Sequence, residues 1–299
     1  MCSQARRNMR KDNRAISPAI STVIMTAAIV VLVLVAVTYA DGSLTNQIAG
    51  DEFSANKQFM QSTGLQIDNV AWTIGRTETV DYTASYGQVT FVPKVIEFTI
   101  QISSNGISWQ TLYSSTTGMI LFNMPVNDYS LGNNYFSRII PSDSGSFLQW
   151  NASAPVCQVF ATQIAPMQVH LPISQPMLNG SYARIVAVPT VRVMNSTLTT
   201  GAHTEVSDYE FYLPSLISES SPYLSQSVTL TGNSLTNFNL TPSSNTIVRI
   251  TTTFLDTSPT GFNSAFFNFD STSETVTVPS GASVEFYIGT VEVSIGMAS

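Results

Sequence analysis

Residues 16–40 read ISPAISTVIMTAAIVVLVLVAVTYA, which is 25 residues without a charged side chain. A helix rises about 1.5 Å per residue, so this stretch would be roughly 37 Å long and could cross a hydrocarbon core of about 30 Å. We call residues 16–40 the anchor segment. Its length and composition predict a single transmembrane helix near the start of the chain.

The fifteen residues before the anchor segment form a basic leader. Positive flanks stay on the cytoplasmic side of a membrane, so the leader is expected inside and the chain after Tyr39 outside. Ser17 is a good N-cap and Pro18 suits the first helical position, so the sequence predicts a helix start at these two residues. The leader has a single acidic residue, Asp12, and these basic ones: Arg6, Arg7, Arg10, Lys11 and Arg14.

The junction Arg14-Ala15-Ile16, a charged residue and a small residue before an apolar helix, resembles the class III signal peptide of archaeal type IV pilins and archaellin-like surface proteins. The resemblance implies that a prepilin-type peptidase cuts between Ala15 and Ile16 and leaves the helix in the mature protein. It also implies that this chain assembles through that helix into a filament with copies of itself or with other pilins. Bacterial relatives usually carry glutamate at the fifth mature position, where this chain has Ile20. Archaeal ones commonly lack it, so packing alone would set the helix register.

Three other interpretations of the N-terminus are open. The segment could be an uncleaved signal anchor, a signal peptide cut after Ala40, or a twin-arginine signal at Arg6-Arg7. Its apolar region is long for a signal peptide, and the basic cluster continues past the arginine pair to Arg14. N-terminal sequencing separates them, because the chain would begin at Met1, Ile16 or Asp41.

Charge is unevenly distributed along the chain. The whole sequence has 12 basic and 19 acidic residues, and the leader holds 5 of the former and 1 of the latter. The part from Ile16 onward therefore has 7 basic and 18 acidic residues and a net charge of −11. Such a surface repels phosphates, which argues against nucleic acid as a partner.

After the anchor segment, residues 41–64 are predicted as a helical spacer, interrupted near Asp41-Gly42, or as a flexible stalk. Residues 65–299 are β-rich, and a sub-boundary is predicted near residues 199–222. Short β-branched runs separated by turn signals indicate a mainly β extracellular head, either one β-sandwich or two packed together. The predicted strands are residues 89–102, 185–193, 206–212, 228–230, 247–254 and 284–295, and the predicted turns are Asn105-Gly106, Asn179-Gly180, Gly232-Asn233, residues 259–261 and residues 279–281.

Residues 69–88 loosely resemble a stretch that recurs behind this kind of anchor in archaeal surface proteins. Within it, Trp72 is predicted to be the core anchor of a first hairpin, with Gly75-Arg76 at the turn. A binding role for Arg76 is an alternative.

The sequence offers little catalytic chemistry, so we expect no enzyme activity, cofactor or metal. Ser54 and Lys57 have the spacing of an acyl-serine motif without its other elements. Asp51-Glu52 and residues 143–146 are interpreted as solvated turns rather than calcium ligands. Cys157 is predicted to be a buried core thiol, and the two histidines, His170 and His203, lie far apart in sequence.

The expected function is therefore structural. The favoured hypothesis is a filament subunit whose head faces the environment and mediates adhesion; the alternative is a membrane-anchored binding protein that does not polymerise. The external ligand is not specified by the sequence. An outside location makes four sequons plausible N-glycosylation sites: Asn151, Asn179, Asn195 and Asn239.

Overall fold

The computed structural model describes residues 5–142, 145–150, 153–164, 182–199, 205–218, 226–255, 262 and 264–296, and only the backbone of residues 5–19. The chain divides into two compact units, Met1–Ala49 and Gly50–Ser299. The second unit is mainly β and forms a sandwich-like head of two curled sheets. One long helix, α1 (Ala5–Ala71), begins in the first unit and ends in the second.

The first sheet has six strands in the order β1-β10-β13-β9-β8-β5. The β13–β9 and β5–β8 pairs are parallel and the other pairs are antiparallel. Its strands are β1 (Thr77–Asp81), β5 (Leu148–Gln149), β8 (Val191–Thr199), β9 (Glu205–Ser218), β10 (Ser227–Leu240) and β13 (Ser283–Ile295).

The second sheet has seven antiparallel strands in the order β12-β11-β2-β3-β7-β6-β4. A short helix, α2 (Ser264–Phe267), precedes β12. The strands are β2 (Gln88–Ser103), β3 (Gln110–Pro125), β4 (Phe136–Ile140), β6 (Cys157–Thr162), β7 (Tyr182–Pro189), β11 (Thr246–Phe254) and β12 (Ser273–Val278).

The core between the sheets draws residues from both of them. Phe98 of β2 and Val186 of β7 belong to the same buried cluster as Phe211 of β9 and Phe286 of β13. The rings of Phe211 and Phe286 stack with centroids 4.8 Å apart. Because this cluster includes residues from before and after residues 199–222, the described part of the head is one sandwich, and the predicted sub-boundary does not divide it.

The strand predictions are largely confirmed. The runs at residues 89–102, 206–212, 247–254 and 284–295 lie within β2, β9, β11 and β13, and the run at residues 228–230 is the start of β10. The predicted turns at Asn105-Gly106 and at residues 279–281 lie between strands. Two further predicted turns, at Asn179-Gly180 and residues 259–261, lie outside the described residues.

One predicted strand, residues 185–193, is in fact two strands in different sheets. β7 ends at Pro189, which has no N–H to continue a ladder. Thr190 lies between the strands, and its N–H donates to the carbonyl of Val156 at 2.9 Å. β8 then begins at Val191 in the six-stranded sheet. The β-branched run therefore crosses from one layer to the other.

Gly232-Asn233 is not a turn but an irregularity inside β10, where the pairing with β13 shifts register between Gly232 and Ser234. Gly232 bonds instead to the chain that follows α1: it accepts from the N–H of Gly75 at 2.7 Å, and its own N–H donates to Arg76 at 2.9 Å. A glycine there is required by this close approach and not by chain reversal.

The predicted change to strands at Leu65 is too early, because α1 continues to Ala71. Residues 41–64 are helical throughout, without an interruption at Asp41-Gly42, so the flexible stalk is wrong. Gly75, at φ 79°, lies in a turn that joins α1 to β1. Trp72 consequently stands at a helix end, and not in a hairpin.

Candidate functional site

The anchor segment presents an apolar surface on every side of the helix. Its most apolar 18-residue window, within the helical part that begins at Ile20, has a mean hydropathy of 2.9 and 0% of the window is buried. Val23 and Leu32 are both 68% exposed, and Tyr39 is 80% exposed. A soluble protein buries such side chains. The chain has one helix here that is long and apolar enough to cross a membrane.

Two threonine hydroxyl groups of this segment are hydrogen-bonded to its own backbone. Thr26 donates to the carbonyl of Thr22 at 2.6 Å, and Thr38 donates to the carbonyls of Leu34 and Val35 at 3.1 and 2.9 Å. Such back-bonding lets threonine enter an apolar environment with its hydroxyl paired. These threonines therefore do not prevent contact with lipid or with another apolar helix.

The predicted processing junction, Arg14-Ala15-Ile16, lies within α1, which begins at Ala5. The predicted helix start at Ser17 and Pro18 is therefore wrong for the full-length chain. The leader contains no glycine or proline to stop the helix before Ile16. Pro18 consequently occupies an interior helical position.

In contrast to the anchor segment, residues 50–71 of α1 pack into the head, and we call them the docked segment. Phe53 is fully buried, with its ring centroid 5.1 Å from that of Tyr129 and 6.1 Å from that of Phe122 in β3. At Gly64 the helix comes so close to β6 that a Cβ would lie 2.9 Å from a methyl group of Val159. Because β6 and β7 are covered on both faces, nearly all their residues are buried.

The end of the docked segment is fixed to the six-stranded sheet. A Cβ on Gly289 of β13 would overlap the carbonyl oxygen of Ala71. Asp68 accepts from Trp72 Nε1 at 2.7 Å with one oxygen and pairs with Arg192 of β8 at 2.7 Å with the other. The Arg192 guanidinium lies 4.7 Å from the ring centroid of Tyr212. The spacing of Asp68 and Trp72, i and i+4 on a helix, is a sequence signal that could have revealed part of this cluster.

A second fixing point involves Glu52, which lies in α1 and not in the solvated turn predicted for Asp51-Glu52. Its carboxylate accepts from the backbone N–H groups of Ser85, Tyr86 and Gly87 at 2.9 to 3.2 Å. The side chain of Asn56 donates to the carbonyl of Thr83 at 2.9 Å. Glu52 therefore holds the loop after β1 against the helix, which is a structural role for this carboxylate.

Two buried groups inside the head have perturbed pKa values. Burial raises the pKa of the Cys157 thiol, which is free and lies in β6, so the predicted core thiol is confirmed. Burial lowers the pKa of Arg184 in β7 to about 10. The Arg184 Nε donates to the side chain of Asn123 at 3.1 Å. Neither residue is placed for chemistry on an outside ligand.

The remaining candidates show no reactive arrangement among the described residues. Lys57 Nζ lies over the ring of Phe53, 5.4 Å from its centroid, and Ser54 is exposed. Arg76 forms an exposed ion pair with Glu78 at 2.9 Å. The described residues contain no cluster of three or more metal-ligating side chains. Both histidines lie outside the described residues, and so does Asp143, the acidic residue of the run at residues 143–146.

Two of the four sequons fall on described residues. Asn195 in β8 and Asn239 in β10 are both exposed, so each is accessible to a glycosyltransferase. Asn151 and Asn179 lie outside the described residues.

Comparison of the chain with known protein families, with curated proteins and with solved structures finds no match. The functional conclusion therefore depends on the chain's own residues and geometry.

Proposed function

We propose that this chain is a pilin-like subunit of an archaeal type IV pilus or a related cell-surface filament. A prepilin-type peptidase removes the leader between Ala15 and Ile16, and the anchor segment then associates with the same segment of neighbouring subunits. The head lies outside the cell and forms the outer surface of the filament, where it mediates adhesion. Before assembly the protein is a single-pass membrane protein.

The observation that carries the proposal is the exposure of the anchor segment on every side of the helix. Full burial of one valine, leucine or isoleucine side chain contributes about 1.5–3 kcal/mol. Eleven such side chains lie in the part of the segment whose side chains are described, from Ile20 onward, and each has more than half of its surface exposed. Lipid covers them in a monomer, and only other apolar helices can cover them in a filament surrounded by water.

The charge distribution supports the orientation. Five basic residues precede the anchor segment, and the 25 residues of the segment carry no charge. This arrangement keeps the leader inside and sends the head outside. The first charged residue on the outer side is Asp41, two residues after the exposed Tyr39, and tyrosine is a residue type favoured at membrane interfaces.

We also propose that the head is glycosylated, and the exposure of Asn195 and Asn239 supports this. Both are sequon asparagines on strands of the six-stranded sheet. In an extracellular head these positions would carry glycans, and mass spectrometry of the mature protein would detect them.

The test combines processing with electron microscopy. We expect the mature protein to begin at Ile16, and Arg14→Asp or Ala15→Leu to block cleavage while membrane insertion continues. Lys11→Gln, a charge change away from the junction, is the matched control and should be processed normally. An unchanged mature mass in the Arg14 or Ala15 variant would refute the processing step.

The second arm asks whether subunits polymerise. Cells that express the chain with an epitope on the head should show labelled filaments, and the Ala15→Leu variant should leave the label on the cell body. Label confined to the cell body in the wild type, with a correct N-terminus at Ile16, would favour the membrane-anchored binding protein that does not polymerise.

A further inference from the structure

α1 passes through the proposed cleavage junction as a continuous helix from Ala5 to Ala71. In a helix, each carbonyl accepts a hydrogen bond from the N–H four residues later. A peptide bond in that state is enclosed by the helical turn, so a peptidase must first unwind the turn before it can reach the bond. The Ala15–Ile16 bond therefore presents an unwinding problem, and it arises only in the full-length chain.

Hydrogen bonds from the N–H groups of residues 16–19 to the carbonyls of residues 12–15 would close the helix across this bond. Residue 18 is proline, which has no N–H. The carbonyl of Arg14 therefore lacks its helical partner, and Arg14 is the residue just before the Ala15–Ile16 pair. Pro18 is the sole proline in α1, so the greatest weakness of this helix lies one turn from the proposed cut.

We propose that Pro18 is a positioning residue for processing: it keeps the turn around Ala15–Ile16 easy to unwind, so that the peptidase can bind the junction in an extended form. This inference rests on the proposed function. Relative to alanine, an interior proline favours the unwound state by about a hundredfold. Glycine at the same position favours it by about fivefold.

The same proline has no such effect once the leader is gone. If the mature chain begins at Ile16, Pro18 lies in the first turn of the helix, where N–H groups have no intrahelical acceptor in any case. Pro18 therefore destabilises the helix of the precursor and leaves that of the product intact. The anchor segment can then enter a filament as an unbroken helix.

The experiment compares processing of the wild-type chain, Pro18→Ala and Pro18→Gly, each expressed at full length in membranes that contain the peptidase. Pulse-chase labelling measures the rate of conversion to the chain that begins at Ile16. We expect Pro18→Ala to be processed at least tenfold more slowly, and Pro18→Gly to be processed at an intermediate rate. Membrane insertion, measured by protease protection of the leader, should be equal in the three proteins.

A second measurement reports directly on unwinding. Amide hydrogen exchange of uncut precursor in detergent should be faster at residues 14–17 in the wild type than in Pro18→Ala, with residues 28–38 unchanged. Equal exchange at the junction, or equal processing rates for wild type and Pro18→Ala, would overturn the inference. If Pro18→Gly were processed no faster than Pro18→Ala, this would also overturn the inference, because the processing rate would then depend on the proline ring itself and not on how easily the helix unwinds.

The outcomes separate this inference from the proposed function. Wild-type chain that is never cut at Ala15–Ile16 refutes the processing proposal itself. Wild-type chain that is cut there as readily as Pro18→Ala leaves the processing proposal intact and removes only the role of Pro18.

Discussion

Two segments of the same helix differ in how far the rest of the chain buries their apolar side chains. The docked segment buries Phe53, Met60 and Ile67 completely, whereas in the anchor segment Val23 and Leu32 are 68% exposed. Both segments are helical, so backbone hydrogen bonding does not distinguish them. The apolar side chains of the docked segment pack against the head, whereas those of the anchor segment can be buried only by lipid or by other chains. Substitutions in the two segments should therefore affect different properties.

The largest difference in the free energy of unfolding of the head is expected between Phe53→Ala and Leu32→Ala. Phe53 is fully buried against Tyr129 and Phe122, so its truncation should lower the free energy of unfolding of the head by about 3–5 kcal/mol. Leu32→Ala should change that free energy by less than about 0.5 kcal/mol, because Leu32 has no partner in the described chain to lose. Urea unfolding in detergent, followed by near-UV circular dichroism, measures both.

The number of filaments should respond to Leu32→Ala although the stability of the head does not. Leu32→Ala removes apolar area from the proposed filament core, so it should reduce the number of filaments per cell while the head remains folded. Equal destabilisation of the head by the two substitutions would contradict the division of α1 into an anchor and a docked segment.

A second, smaller contrast uses two glycines. Gly289→Ala places a methyl group against the carbonyl of Ala71, where the docked segment meets β13, and should destabilise the head by about 1–3 kcal/mol. Gly42 lies inside α1, and the methyl group that Gly42→Ala adds has no neighbouring atom within 4 Å. It should raise helix stability by about 1 kcal/mol.

Thermal unfolding and far-UV circular dichroism of the two glycine variants test this contrast. If Gly289→Ala unfolds at the wild-type temperature, the contact between the helix end and β13 is looser than the structure has it.

The sequence predicts the anchor segment well because 25 consecutive uncharged residues leave few alternatives. It predicts the docked segment only in part: residues 50–64 belong to the predicted helical spacer, whereas residues 65–71 are predicted as part of the β-rich head although they are helical. The pattern at Leu65 and Trp72 predicts the β region, because residues 65–71 have no clear apolar period and gain their helical state from packing against the head. Gly232 is predicted to be in a turn, because sequence alone does not distinguish a glycine needed for close packing against another segment from a glycine needed to reverse the chain.

For the candidate site, the sequence indicates the junction Arg14-Ala15-Ile16 and the sequon asparagines, but it gives no sign of their surroundings. It predicts a helix start at Ser17 because N-cap and N1 preferences are local. The structure has the helix beginning at Ala5, and this is what makes Pro18 an interior residue. Exposure of Asn195 and Asn239 likewise follows only from the placement of β8 and β10.

The ion pair between Asp68 and Arg192 should have a still smaller effect on the docked segment. The Arg192 side chain is 10% exposed and that of Asp68 is 27% exposed. Asp68→Asn leaves the guanidinium without its carboxylate and should lower the free energy of unfolding by about 1–2 kcal/mol. Asp51→Asn, an exposed carboxylate on the same helix, is the control and should be close to neutral.

A double-mutant cycle with Arg192→Met isolates the coupling between the two side chains. A coupling energy near zero would show that neither side chain depends on the other and that apolar packing alone fixes the helix end.

The smallest effect we expect is a dependence on pH that belongs to the head alone, because the anchor segment has no carboxylate, histidine or basic side chain. Burial raises the pKa of Glu274 in β12 above its ordinary value, although it accepts a hydrogen bond from Ser146 at 2.5 Å. As pH rises, the unfolded chain loses this proton before the folded chain does. The free energy of unfolding therefore falls between the ordinary pKa and the raised one, and stays lower above it.

Glu274→Gln removes the titrating group, so the variant should lose part of the fall in the urea midpoint between about pH 4 and pH 7. Glu205→Gln, at an exposed position at the start of β9, serves as the control. Helicity of the anchor segment in detergent should stay constant over the same range, since the segment contains no carboxylate, histidine or basic side chain. If the urea midpoint of the wild type rose with pH and that of Glu274→Gln did not, the pKa of Glu274 would be lowered in the folded head. That result would contradict burial as the dominant influence on this carboxyl group.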